Sequence, residues 1–265
     1  MRASRFWLWT VPASLGLLGV LALSATFVLA LRGAAGKPLG VAPPPPKDAA
    51  APPAAPGRRQ VLILGDSLAR GTGDPSGRGW TLDVLEEIRR RVPADGSNLA
   101  VNGWESDDVR RLVEGPNVRA LAARAHVILL SVGGNDLSHS LPRTIGSAAS
   151  AAAGVEKSRL AFDANLRAIL TTLRAANPSA PILLLGLYDP FQMTGPEGRL
   201  GSSVIQQWNA MAAQTALSFE NVRIVPTFDL FQGRTDRLAA DRFHPNREGY
   251  AAIAARAIQV LPKQI

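Results

Sequence analysis

From residue 60 onward the sequence alternates short apolar runs with longer amphipathic stretches, and this alternation constrains the fold more than any other feature. Short apolar or β-branched runs are typical of parallel strands that are covered on both faces. The amphipathic stretches predict helices that cover those faces, so we expect a parallel sheet between two layers of helices. The predicted strands are residues 61–64, 99–101, 127–132, 182–187 and 222–225. The predicted helices are residues 80–91, 107–114, 159–176, 204–219 and 247–261.

Three polar motifs follow the first three predicted strands. Ser67, Gly103 and Asn135 each come two or three residues after the end of a strand. The carboxyl ends of parallel strands form one edge of a sheet, and such sheets bind their ligands at that edge. We therefore expect these three residues to lie close together in a single site.

The first motif, Gly65-Asp66-Ser67-Leu68, contains a candidate nucleophile. A serine at a tight turn from strand to helix presents its hydroxyl for attack, and Gly65 permits the sharp backbone. The motif is not the G-x-S-x-G elbow of α/β-hydrolases. The nearby glycines lack the lysine and the spacing of a phosphate-binding loop. A helix N-cap is the purely structural alternative for such a serine.

Asn135, in the segment SVGGNDL, is a candidate donor to an oxyanion. Its amide donates without carrying charge, and one such donor stabilises the transition state of a serine hydrolase by about 3–4 kcal/mol. The backbone N–H groups of Gly103 and Ser67 are predicted to be the other donors. An ordinary Gly-Asn turn is the alternative that this short segment leaves open.

His244, in the segment DRFHPNREGY, is the candidate general base. Asp241 lies three residues earlier, so a short turn brings its carboxylate to one ring nitrogen and leaves the other for Ser67. The carboxylate then holds the tautomer and stabilises the imidazolium. His126, at the start of a strand, is predicted to be structural, and His139 is predicted to lie in a surface loop.

Other chemistries have little support. The chain has no cysteine, which excludes thiolate catalysis and disulfides, and its three histidines form no H-E-x-x-H pattern. We therefore expect no metal and no cofactor. Asp136 is a rival carboxylate, but its charge would oppose an oxyanion at the adjacent Asn135, so we interpret it as a turn-organising residue.

Residues 7–31 contain no charge over 25 positions, and Arg2 and Arg5 precede them. A helix of about 20 apolar residues spans a bilayer, whereas a cleaved signal usually has an apolar region of about 7–15 residues. We therefore predict a single-pass signal anchor within residues 1–32 that places the rest of the chain outside the cell. Cleavage after Ala30, which would give a secreted protein, is the alternative.

Residues 33–59 are rich in proline, alanine and glycine and nearly lack large apolar residues. Such a segment cannot bury a core, so it predicts a semi-rigid linker before a domain at residues 60–265. Of the net charge of +8, the first 59 residues carry +6. Because a nucleic-acid-binding domain has its own basic face, we expect no nucleic-acid partner.

Taken in order, the four segments around Ser67, Gly103, Asn135 and His244 resemble the four signature blocks of the SGNH (GDSL) hydrolase family. The segments GLYDPF and VPTFDLF also resemble its bacterial exported lipase/acylhydrolase branch. The resemblance covers residues 60–265 and implies a flavodoxin-like three-layer α/β/α sandwich with a five-stranded parallel sheet. It implies the same roles for these residues and for Asp241.

The expected function is that of a membrane-anchored, outward-facing carboxylic-ester hydrolase that works through an acyl-enzyme. Two substrate classes stay open: acyl esters of lipids or lysophospholipids, and O-acetyl groups on cell-wall or exopolysaccharide. A non-catalytic binding protein should have lost a site residue, and all are present. Residues 138–160, rich in small and apolar residues, are expected to form a flexible lid.

Overall fold

The computed structural model describes residues 57–140, 148–190 and 196–265. The predicted anchor at residues 7–31 and nearly all of the predicted linker lie outside these residues. Within the described ranges, no helix is both long enough and apolar enough to cross a bilayer.

One parallel sheet of five strands, in the order β2-β1-β3-β4-β5, organises the described part of the chain. The strands are β1 (Arg59–Gly65), β2 (Ala94–Asn98), β3 (Val127–Ser131), β4 (Ile182–Leu185) and β5 (Val222–Val225). This order is that of flavodoxin-like sheets, in which the strand order reverses between β1 and β3. The predicted five-stranded parallel sheet is therefore confirmed.

Helices cover both faces of the sheet. They are α1 (Ser67–Arg70), α2 (Gly79–Arg91), α3 (Ser106–Val113), α4 (Pro116–Arg124), α5 (Gly134–Ser140), α6 (Ala148–Ala176), α7 (Pro196–Ala216), α8 (Phe228–Phe231) and α9 (Arg247–Val260). Successive residues of β1 point to opposite faces, so Val61 packs in the cluster that contains Trp80, and Leu62 in the cluster that contains Phe162. The two buried clusters make the molecule a three-layer α/β/α sandwich.

The second strand differs from the prediction, which placed it at residues 99–101. It lies earlier, at β2, where the sequence ADGSN is polar because this edge strand is partly exposed. The N–H groups of Leu99 and Val101 still donate to the carbonyls of Ile63 and Gly65, at 2.9 and 3.0 Å. Leu99 and Val101 therefore continue the pairing with β1 beyond the end of β2.

The segment expected to form a flexible lid is helical over much of its length. Helix α6 begins at Ala148, well before the predicted start at residue 159, because alanine is the strongest helix former and this stretch is rich in it. Residues 138–140 belong to α5, and residues 141–147 lie outside the described residues. Residues 148–160 are therefore helical, and a lid role for them stays a prediction.

The folded domain begins slightly earlier than residue 60. The N–H of Arg59 donates to the carbonyl of Pro93 at 2.8 Å. The Arg58 guanidinium forms an ion pair with Asp95 at 2.7 Å and donates to the carbonyl of Ala94 at 3.0 Å. The last two residues assigned to the linker therefore belong to the domain.

Candidate active site

Ser67 is the first residue of α1, at the tight turn from β1 into this helix. Gly65 in this turn has a φ of 128°, and a Cβ there would lie 1.9 Å from the carbonyl oxygen of Ser131, so only glycine fits. Asp66 is the N-cap of α1 and accepts a hydrogen bond from the N–H of Leu68 at 3.0 Å. Because Asp66 performs the capping, the Ser67 hydroxyl is left for another partner.

That partner is His244, which lies 177 positions further along the chain. The Oγ of Ser67 is 2.9 Å from Nε2 of His244, and Nδ1 of His244 is 2.7 Å from Oδ2 of Asp241. The fold therefore brings the predicted nucleophile, base and orienting acid into one hydrogen-bonded series. The other Asp241 oxygen, Oδ1, accepts the N–H groups of Phe243 and His244 at 2.9 Å each, which closes the segment into a turn.

The surroundings of Asp241 favour its ionised form. Burial raises the pKa of this carboxyl, but the hydrogen bonds from the His244 ring and from two backbone N–H groups outweigh burial, so the net pKa is lowered. An ionised Asp241 accepts from Nδ1–H of His244, which leaves Nε2 as the acceptor for the proton of the Ser67 hydroxyl. This is the tautomer that a general base requires.

Asn135, at the start of α5, lies in the same groove as Ser67. Its Nδ2 donates to the carbonyl of Trp104 at 2.8 Å. A primary amide has two N–H groups, so this bond fixes the side chain and leaves a second donor. Gly103, directly before Trp104, has a φ of 81° and open space where a Cβ would point. The bond therefore joins the two segments predicted to supply oxyanion donors.

Asp136 joins two helices. It is buried, and it accepts from the N–H of Ser106 at 2.9 Å and from the hydroxyl of the same residue. Burial raises the pKa of the Asp136 carboxyl, and the hydrogen bonds from Ser106 oppose that rise. The carboxylate holds the first residue of α3 against α5, which agrees with the structural role predicted for it.

The other two histidines have separate partners. Nδ1 of His126 accepts the N–H of Gln60 at 3.0 Å, which ties the start of β3 to β1 and agrees with a structural role. His139 lies on α5, so its prediction as a loop residue is wrong, although its side chain is 46% exposed. Its Nδ1 is 2.6 Å from the carboxylate of Glu105.

A largely apolar groove opens beside Ser67 at the carboxyl edge of the sheet. Its walls come from segments that follow β1, β3 and β4, from helix α7, and from the segment before α9 that carries Phe243. The residues that line it include Leu68, Leu137, Leu187, Tyr188, Pro190, Ile205 and Phe243, with Asp66, Gly134, Asn135 and Ser138 supplying polar and backbone groups. Such a surface accommodates a hydrocarbon group next to the serine hydroxyl.

Two residues close to the site were not predicted. The hydroxyl of Tyr188 donates to the carbonyl of Phe243 at 2.6 Å, directly before His244. Gly73 has a φ of 95°, and a Cβ there would lie 2.7 Å from Cβ of His244. Both residues lie in short segments with recognisable motifs, but no spacing in the sequence shows that these segments meet His244.

Comparisons with known proteins identify a family and a fold for this chain. Residues 63–252 match the GDSL-like Lipase/Acylhydrolase family. The chain is 30% identical over 210 residues to YpmR of Bacillus subtilis strain 168, described as uncharacterized, covering 77% of this chain and 82% of YpmR. It is 26% identical over 212 residues to the spore germination lipase LipC of Bacillus licheniformis, covering 74% and 93% of the two chains. A solved structure of the lipase Lip_vut3 from a goat rumen metagenome has the same fold, with a TM-score of 0.68, 23% identity and coverage of 76% and 97%.

Proposed function

The chain belongs to the GDSL-like lipase/acylhydrolase family of serine carboxylic ester hydrolases, and we propose that Ser67, His244 and Asp241 form its catalytic triad. The observation that carries this proposal is the hydrogen-bonded series from Ser67 Oγ to His244 Nε2, at 2.9 Å, and from His244 Nδ1 to Asp241, at 2.7 Å. These lengths suit proton transfer without a rearrangement of the side chains.

In the proposed reaction, Oγ of Ser67 attacks the ester carbonyl carbon while Nε2 of His244 takes the hydroxyl proton. The tetrahedral intermediate collapses when its bond to the leaving oxygen breaks, and His244 gives its proton to the departing alcohol. A water molecule then attacks the acyl-enzyme by the same route, which releases the acid and restores the Ser67 hydroxyl. Asp241 stays ionised and stabilises the imidazolium throughout.

The oxyanion formed on the carbonyl oxygen needs donors that are already in place. We assign this role to the second N–H of the Asn135 amide and to the backbone N–H groups of Gly103 and Ser67. The bond from Asn135 to the Trp104 carbonyl supports the assignment because it removes the rotational freedom of the amide before substrate binds.

For the substrate, we propose acyl esters of lipids or lysophospholipids. The support is the largely apolar groove beside Ser67, since each buried methylene group contributes about 0.8 kcal/mol to binding and an acetyl group offers only one methyl. The relative LipC is named as a lipase, which points in the same direction. Hydrolysis of O-acetyl groups on polysaccharide stays the alternative.

We also propose that residues 7–31 anchor the enzyme in the cell membrane with the catalytic domain outside. The support is the run of 25 uncharged residues after Arg2 and Arg5, followed by a proline-rich spacer. An anchor of this kind would hold the groove near lipid esters of the same cell.

A panel of p-nitrophenyl esters from acetate to palmitate tests the activity and the substrate class together. We expect the full-length protein in detergent to prefer medium or long chains over acetate, and Ser67→Ala to lower kcat by about a thousandfold or more at unchanged Tm. A Ser67→Ala variant with most of the wild-type kcat would overturn the assigned nucleophile. A preference for acetate would instead favour the polysaccharide O-acetylesterase.

A further inference from the structure

The segment that follows β4 is hydrogen-bonded to the segment that carries His244. Tyr188, three residues after β4, is 6% exposed, and its hydroxyl donates to the carbonyl of Phe243 at 2.6 Å. Burial raises the pKa of Tyr188 well above its ordinary value, so the hydroxyl keeps its proton and acts as a donor across the working pH range.

Tyr188 donates from a rigid platform. Leu187, the residue before Tyr188, is held by two hydrogen bonds to the side chain of Asn209. Oδ1 of Asn209 accepts the N–H of Leu187, and Nδ2 donates to the Leu187 carbonyl, both at 2.7 Å. The ring of Tyr188 stacks on Phe231 with a centroid distance of 4.2 Å. Backbone and ring are therefore both held before the hydroxyl reaches its acceptor.

The acceptor lies in a segment that forms neither helix nor strand. Residues 241–244 form a turn and bends, and Arg242 has a left-handed φ of 56°. Within this segment, the peptide unit between Phe243 and His244 is held at both ends. Its N–H donates to Oδ1 of Asp241 at 2.9 Å, and its carbonyl accepts from Tyr188. The first bond lies inside the segment, so it sets the shape of the turn, whereas the second ties the turn to the sheet.

We propose that Tyr188 is a positioning residue for His244. Its hydrogen bond fixes the plane of the peptide unit that precedes His244, and so fixes where the imidazole lies relative to Ser67 on the separate turn after β1. A displacement of about 1 Å between reacting groups can cost about a hundredfold in rate. This inference rests on the proposed triad.

The variant Tyr188→Phe removes the hydroxyl and keeps the ring that stacks on Phe231 and lines the groove. We expect kcat of the full-length protein to fall about tenfold or more, because the histidine is less well held. We expect KM to stay within about twofold of wild type, because the groove wall is unchanged.

Thr227→Val is the matched control. The Thr227 hydroxyl is buried and donates to the carbonyl of Gly186 at 2.7 Å, two residues before Tyr188, so this variant also loses one buried hydroxyl-to-carbonyl bond near the end of β4. It leaves the segment at residues 241–244 untouched. We expect a similar small loss of Tm in both variants, and a large loss of kcat only in Tyr188→Phe.

A proton NMR signal separates positioning from general destabilisation. The Nδ1–H of His244, bonded to Asp241, should give a downfield resonance that shifts or broadens in Tyr188→Phe and stays in place in Thr227→Val. A folded Tyr188→Phe with wild-type kcat and an unmoved resonance would overturn the proposal. Equal losses of kcat in both variants would overturn it as well. Full activity in Ser67→Ala would refute the triad itself, which is a different result.

Discussion

The carboxyl group of Asp66, the neighbour of the proposed nucleophile, is buried, which disfavours its ionised form. Burial raises its pKa from 3.8 to about 6, against the lowering effect of hydrogen bonds from Ser131 and Leu68 and of nearby His244. Both hydrogen bonds go to the same oxygen, from the Leu68 N–H at 3.0 Å and the Ser131 hydroxyl at 2.5 Å. A neutral amide oxygen can also accept both hydrogen bonds, so the turn needs an acceptor here and not a charge.

The variant Asp66→Asn is therefore expected to raise stability at neutral pH. The pKa of the Asp66 carboxyl is higher in the folded protein than in the unfolded chain. As pH rises, Asp66 of the unfolded chain therefore loses its proton first, and the wild-type protein loses stability between about pH 4 and pH 6. The shift from 3.8 to about 6 corresponds to about 3 kcal/mol above that window. Urea unfolding of both proteins should show this advantage for the variant at about pH 7.5 and little at about pH 4. An advantage of equal size at both pH values would contradict the raised pKa.

At the scale of single residues, the sequence predicts those site residues that lie within a recognisable motif. Ser67, Asn135 and His244 each follow a recognisable signature, and Asp241 is found because it lies close to His244 along the chain. The contribution of Tyr188 could not be found in this way, because its hydroxyl acts on a carbonyl 55 positions away. Contacts of this kind depend on how segments pack, which no local pattern records.

Among the elements, the turn from β1 to α1 leaves no space for a side chain at Gly65. Gly65→Ala would place a methyl group 1.9 Å from a backbone oxygen of the neighbouring strand, at a φ of 128°. Gly77→Ala is the matched control, since Gly77 also has a positive φ, of 66°, but has open space around the position of a Cβ. We expect Gly77→Ala to cost about 1–2 kcal/mol of unfolding free energy from backbone strain alone. Gly65→Ala should cost several kcal/mol more or prevent folding, as measured by urea unfolding; equal costs would contradict the clash.

Four of the five strands, including the edge strand β5, were predicted close to their bounds, and β2 was not, for a physical reason. β3 and β4 are continuous apolar runs because helices cover both of their faces. Most residues of the edge strand β2 are partly or fully exposed, so they need not be apolar. The resulting polar sequence is typical of a loop. Helix α4 was missed although Pro116 occupies its first turn, because its alanine-rich sequence buries only Val118 and Ala122 and so gives a weak amphipathic pattern.

At the scale of the whole molecule, the chain enters the domain on the side opposite the groove. Arg59 begins β1 at the amino edge of the sheet, and Ser67 lies beyond its carboxyl end. Seven strand residues separate these edges by roughly 23 Å at about 3.3 Å per residue. Arg59, close to the start of the described residues, therefore lies at the edge of the sheet away from Ser67.

Deleting residues 1–56 should convert a membrane-associated enzyme into a free one of equal activity. The uncharged run at residues 7–31 is expected to partition into lipid, and the described residues begin at residue 57, so this truncation removes the proposed anchor without touching the sheet. Fractionation of cells should place the full-length chain with the membranes and the truncated chain in the soluble fraction, with the same kcat on p-nitrophenyl esters.

The longer deletion of residues 1–59 gives the matched control for where the domain begins. It removes the Arg58 ion pair with Asp95 and the hydrogen bond of the Arg59 N–H to Pro93 at 2.8 Å. Loss of one backbone bond, at about 1 kcal/mol, should lower Tm by about 2–4 °C relative to the 1–56 deletion. Equal Tm values would mean that the start of β1 contributes nothing to stability.

Two outcomes of expressing the full-length chain in cells would contradict the proposed anchor. A shortened protein in the medium would show that residues 7–31 are a cleaved signal. A protein that resists protease added to intact cells would reverse the proposed orientation.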